Sequence, residues 1–162
     1  MSNLMIKKKS KTIKSSSSKT IKSSSSKSSS KKVTKDFGVM ITKKFMEILM
    51  MIKMYHWNTS SYATHQATDE LYTKINGHMD QFMEIFMGKT GKNIEMKNVE
   101  SINVMNLSSK NKLVSKITDY KSFLVNLNDN SFMKLMTNSD LFNIRDEILA
   151  DLNQFLYLLS LK

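Results

Sequence analysis

From residue 36 onward, apolar residues recur at intervals of three and four, the period of a helix with one buried face. Ile41, Phe45, Ile48, Leu49, Ile52 and His56 share one stripe and predict a first helix from about Asp36 or Gly38 to Trp57. The polar run Asn58-Thr59-Ser60-Ser61 breaks it and supplies N-cap candidates for a second helix, Tyr62 to about Met87, ending at Gly88. On that helix Ala67, Leu71, Ile75, Met79, Phe82, Ile85 and Phe86 form a broad apolar arc, which also takes in His78. A connection of about twenty residues (89–107) follows, with room for a short helix. A third helix is predicted over about 109–128 on Leu113, Ile117, Tyr120, Leu124 and Leu127. A fourth is predicted over about 139–161 on Leu141, Ile144, Ile148, Leu152, Phe155 and Leu159, capped by Ser139 or Asn138. Proline is absent and there are only four glycines, which disfavours a turn-rich β sandwich. The expectation is an all-α four-helix bundle over residues 36–162.

Residues 1–35 change that picture. They hold eleven Lys and no acid, whereas residues 36–162 balance 14 Lys+Arg against 14 acids, so the net +11 belongs to the N-terminal segment. The segment is rich in Ser and repeats KTIKSSSS at 11–18 and 19–26. Such a composition buries too little apolar area to offset ordering entropy, and a disordered basic tail is expected. A cationic arm on a neutral body points to an anionic polymer, here the phosphates of nucleic acid, bound without sequence preference. The groups concerned are Lys7, Lys8, Lys9, Lys11, Lys14, Lys19, Lys22, Lys27, Lys31, Lys32 and Lys35. The bland alternative is a solubilising arm. No aromatic residue interrupts the segment, so base stacking is not expected. Without cysteine there is no disulfide and no thiolate metal site. No secretory h-region and no run long enough to span a bilayer are evident, so the expectation is a soluble, intracellular protein with no membrane partner. The 14 methionines are read first as flexible core filling.

The candidate chemistry lies in residues 53–88, which contain all three histidines and the only tryptophan. His65 and Asp69 are four apart, as are Asp80 and Glu84, so each pair shares a helix face. Imidazole and carboxylate on one stripe are a ligand set for iron, manganese or zinc. The same arc mixes these groups with Tyr72, Asn76, Met83 and Met87, a composition that suits a surface covered by a partner. No phosphate-binding glycine loop, Ser/His/Asp triad or zinc-finger spacing is present.

HWN at 56–58, HQATDELY at 65–72 and HMDQFMEIFMG at 78–88 together resemble the core motif of the Dps family, the mini-ferritins. The YHW and H-x-ATDELY segments are also similar to uncharacterised small proteins of large DNA viruses. The resemblance implies a ferritin-like bundle in which a long connection between the second and third helices lets those two run parallel. It implies an iron-binding ferroxidase that oxidises Fe²⁺ with peroxide or O₂. His56, His65 and Asp69 of one subunit would form the metal site with Asp80 and Glu84 of a two-fold-related one. It further implies DNA binding through a Lys-rich extension. One chain cannot close such a site alone, because His65 and Glu84 lie about 28 Å apart along a helix. An antiparallel pair of second helices in a homo-oligomer can. The sequence departs from the family in one place: nine residues separate His56 from His65, where twelve are usual, and the shortening falls in the turn. That places His56 away from His65. The alternative is a non-enzymatic structural or DNA-packaging protein, cytoplasmic or of a virion, that keeps the bundle and not the metal. Trp57 is expected to pack.

Overall fold

The computed structural model describes residues 24–97, 99–134 and 138–161, with backbone alone at 24–28. Among the described residues the regular structure is all helical: α1 (Ser24–Asn58), α2 (Tyr62–Thr90), α3 (Lys110–Asn126), a 3₁₀ turn (Leu127–Asp129), α4 (Ser131–Lys134) and α5 (Ser139–Ser160). The all-α reading is therefore what the molecule has. The apolar stripes are buried as their spacing predicts, with Ile41, Ile52, Ile75, Phe82, Leu113, Ile117, Ile148 and Leu152 sealed from solvent. Among the described residues no helix is long and apolar enough to cross a membrane.

Two helix ends differ from the sequence reading. α1 begins at Ser24, so residues 24–35 of the expected disordered tail are helical. No glycine or proline lies between 24 and 37, and Lys propagates a helix well once a packed segment has nucleated it. Val33 packs against the core, and Lys35 reaches Glu95 at 3.3 Å. Residues 1–23, with Lys7, Lys8, Lys9, Lys11, Lys14, Lys19 and Lys22, lie outside the described residues. α2 does not stop at Gly88 but runs on to a left-handed cap at Gly91 (φ 62°), whose N–H donates to the Met87 carbonyl at 2.8 Å. Ser61 caps α2 as the sequence predicts, accepting from Thr64 N–H, and Ser109 caps α3 by accepting from Lys112 N–H. Asn138, expected with Ser139 as a cap, stands at the N-cap of α5 without a capping bond and donates to the Phe132 carbonyl instead. The connection 91–109 contains no helix among its described residues.

Contacts between the helices set their directions. Phe45 meets Phe82 edge-on at 5.3 Å and Phe37 meets Phe86 at 5.5 Å, so α1 and α2 are antiparallel. Lys74 reaches Gln154 and Lys89 reaches Asp140, which makes α2 and α5 antiparallel. Arg145 on α5 donates to the Leu124 carbonyl of α3 and to Asn128 just after it, while Lys110 at the start of α3 shares a hollow with Leu158 and Leu159 near the end of α5, so these two are antiparallel as well. α2 and α3 therefore run the same way, and the chain must travel the bundle's length between them. It does so alongside α1, from the Lys35–Glu95 contact to the Asn58–Asn106 contact. The short α4 closes one end, where Phe132 stacks on Phe37 at 4.5 Å and meets Phe86 at 5.1 Å.

Gly38 sits where α1 comes closest to α2 and the connection. A Cβ there would stand 3.0 Å from Phe86 and 3.2 Å from Ile94. Phe86 is held by Phe37 and Phe132 and cannot turn away. Gly38→Ala is accordingly expected to destabilise the fold by about 1 kcal/mol, overpacking outweighing helix propensity. Gly88→Ala meets nothing within 4 Å. It should stabilise by roughly 0.5–1 kcal/mol. Urea midpoints of the two variants should move in opposite directions.

Candidate metal centre

The last turn of α1 and the first turns of α2 form a hairpin with only three residues between them, so His56 and His65 each lie close to the turn. The nine-residue spacing therefore brings them together instead of separating them. Their rings stack, with centroids 3.8 Å apart and planes 24° from parallel. The hydrogen bonding is reciprocal: His56 Nδ1 donates to the His65 carbonyl at 3.0 Å, and His65 Nδ1 donates to the His56 carbonyl at 3.0 Å. A carbonyl oxygen can only accept, so Nδ1 carries the proton on both rings. In the neutral rings each Nε2 then presents a lone pair, the tautomer that a metal-ligating histidine needs. Thr68, fully buried, stands 3.2 Å from His56 Nδ1 while its own hydroxyl donates to the Thr64 and His65 carbonyls. His56 is 7% exposed, and the hairpin holds its ring in place.

Asp69, one helical turn beyond His65, brings Oδ1 to 3.8 Å from His56 Nε2. The same oxygen lies 3.6 Å from Lys53 Nζ, which also sits over the Tyr72 ring at 4.7 Å. One chain thus stacks His56 on His65 and sets Asp69 beside His56, with a lysine ammonium as neighbour.

Asp80 and Glu84 are not brought to them. Both are exposed, farther along α2. Asp80 rims a groove of about 270 Å³ between α1 and α2 whose walls include Met46, Met79, Met83 and Met87. Among the described residues, no three His, Asp or Glu side chains of one chain are arranged to hold a metal ion. The methionines divide between roles: Met51, Met79 and Met133 are core, while Met46 is 42% exposed on this groove. Trp57 is 65% exposed and does not pack within the chain, because the turn after Asn58 leaves its side of α1 uncovered.

Two polar clusters were not legible in the sequence. His78, predicted on the apolar side of the second helix, lies on the α2–α5 seam between two carboxylates. Its Nδ1 is 3.2 Å from Glu147 and its Nε2 is 3.1 Å from Asp151. The available signal was the acidic pair Glu147 and Asp151, one turn apart on the fourth predicted helix. The second cluster is Glu47, buried on α1 and paired with Lys44 at 3.0 Å, facing the buried Tyr120 of α3. Burial and the Glu47 charge push the Tyr120 phenol above its ordinary value. Tyr120 reads as one more apolar position on its stripe, so nothing local announces this pair.

Residues 56–159 match a family of unknown function, DUF5856, over well more than half of the chain. The chain belongs to that family. The matched span opens at His56 and contains His65, Asp69, Asp80 and Glu84, whereas the basic N-terminal segment precedes it. No curated protein and no solved structure matches.

Proposed function

We propose that this DUF5856 chain is a ferritin-like, Dps-type protein that binds and oxidises Fe²⁺ at sites shared between two copies paired through antiparallel α2 helices, and that its Lys-rich N-terminal segment holds nucleic acid. The observation that carries the reading is the reciprocal His56–His65 lock. It leaves two imidazole Nε2 atoms at the α1–α2 hairpin, with Asp69 beside one of them. Two nitrogens and a carboxylate suit Fe²⁺, and carboxylates from a second chain would complete the set and favour Fe³⁺ by charge. The topology supports the same reading, since parallel α2 and α3 joined by a long connection is the arrangement of ferritin-like bundles. In this scheme His56 and His65 bind, Thr68 and the two carbonyls hold the rings, and Asp80 and Glu84 serve the partner's site. Iron is the substrate, and peroxide or O₂ takes up the electrons.

Anaerobic Fe²⁺ titration of the purified protein, followed by oxidant, tests the reading. The wild type should bind iron and oxidise it; His65→Ala and Asp69→Ala should not. Lys53 competes with the metal for Asp69, and Lys53→Met should tighten Fe²⁺ binding about fivefold, the effect of releasing one partly exposed ion pair. That ammonium also favours a second reading, a structural or nucleic-acid-packaging bundle in which Lys53 permanently neutralises Asp69. A wild type that takes up no iron would select it.

For the N-terminal segment, log K for duplex DNA should fall linearly with log salt, by about 0.9 for each phosphate engaged. Deleting residues 1–28 removes eight of the eleven lysines and spares Val33 and Phe37, which pack in the bundle. The truncated chain should keep its helical spectrum and lose most of the slope.

A further inference from the structure

The end of the bundle where the basic segment enters α1 carries a cleft of about 520 Å³. Lys31 and Lys35, one turn apart on α1, form one wall. Lys92, Asn93 and Glu95 of the connection form the other. Lys97 stands beside it, 3.8 Å from Glu95. Three ammonium groups, those of Lys35, Lys97 and Lys92, thus act on a single carboxylate, and Lys31 lines the same cleft. Glu95 bonds to Lys35 at 3.3 Å although both side chains are about half exposed. Lys35, then Lys97 and Lys92, hold the Glu95 carboxyl below the usual carboxylate range. Groups from α1 and from the connection therefore converge on one negative charge, and Glu95 marks the spot. The floor includes Phe86, only 3% exposed, so no ring face is offered to a base.

We propose that this cleft seats the sugar–phosphate backbone of nucleic acid on the folded body, and that Glu95 occupies the phosphate position until nucleic acid displaces it. The inference rests on the nucleic-acid reading of the N-terminal segment and extends it. Residues 1–28 bring eight lysines with no acid directly to Lys31, so a polyanion held by that segment is delivered to the cleft. Contact is with phosphate alone, which positions nucleic acid without reading its sequence.

The test is fluorescence anisotropy of the full chain with a 20-base-pair duplex of random sequence across a salt series. Glu95→Gln frees Lys35 for phosphate. It should tighten binding severalfold and steepen the salt slope by about 0.9, and Lys92→Gln should flatten the slope by a similar amount. Lys116 and Asp119 on α3 form a comparable exposed pair at 2.9 Å, away from the cleft. Lys116→Gln and Asp119→Asn make the same charge changes and should leave the slope unaltered. Equal effects from the α3 and cleft variants would overturn the inference, since only overall charge would matter. Unchanged slopes in the cleft variants, with wild-type binding intact, would overturn it and leave the tail reading standing. If millimolar inorganic phosphate displaces the cleft contribution at fixed ionic strength, the cleft is a small-anion site and the inference falls. No duplex bound by the wild type would overturn both.

Discussion

Mixing Asp69→Ala chains with Glu84→Ala chains is expected to recover iron oxidation that neither has alone. Each variant by itself should be inactive, because every interface site lacks one carboxylate. In a mixed dimer the two defects fall on the same site: the one using the altered Asp69 also uses the altered Glu84. The other site keeps His56, His65 and Asp69 from one chain and Asp80 and Glu84 from its partner. With free exchange, half of the dimers are mixed, so about a quarter of all sites should be active. The expectation depends on the separation of the two ligand groups. His56, His65 and Asp69 gather at the hairpin, while Asp80 and Glu84 sit exposed farther along the same helix. No recovery, with subunit exchange demonstrated by mass spectrometry and the wild type active, would reject the shared site. Activity of either variant alone would reject the assignment of its carboxylate.

Phe82→Ala should cost about 3–5 kcal/mol, the usual range for emptying a large aromatic site. Phe82 is fully buried in the C-terminal half of α2 and meets Phe45 edge to face, with ring planes at 80°. Stability of a domain this size is about 5–15 kcal/mol, so the variant should lose a large share of it. Denaturant titration by circular dichroism measures the loss. Phe82→Leu should lose much less, since it keeps most of the volume. A loss below about 1 kcal/mol for Phe82→Ala would show that the α1–α2 seam is not the core described. The His56–His65 lock depends on that seam, so iron binding should weaken in parallel with stability.

How much could be read beforehand differs between fold and site. The stripe from Ile41 to His56 and the arc from Leu71 to Phe86 are buried as their spacing predicts. The caps at Ser61 and Ser109 stand where polar breaks precede apolar runs. These features are local: a 3.6-residue period states which face is buried, and a hydroxyl before it satisfies free N–H groups within three residues. The start of α1 was less legible, because Lys and Ser are neutral enough for their state to depend on what they adjoin. Gly88 was read as the end of the second helix, and the structure carries that helix past it. The left-handed turn falls at Gly91, after Thr90 has donated to the Phe86 carbonyl and extended the helix.

The polar groups mark the boundary between the two kinds of information. Sequence alone determined that His65 and Asp69 share a face, that Asp80 and Glu84 share one, and that a single helix cannot join the two pairs. Only the tertiary structure decided that His56 stacks on His65, that each Nδ1 is spent on the other's carbonyl, and that Lys53 pairs with Asp69. It likewise decided that His78 lies between Glu147 and Asp151 and that Glu47 faces Tyr120. The physical reason is the same in each case. Burying an apolar face needs any apolar partner, so its own periodicity suffices, whereas a hydrogen bond or ion pair needs one particular atom within about 3 Å. Which atom arrives there is set by the register between helices, and that register belongs to the packed bundle.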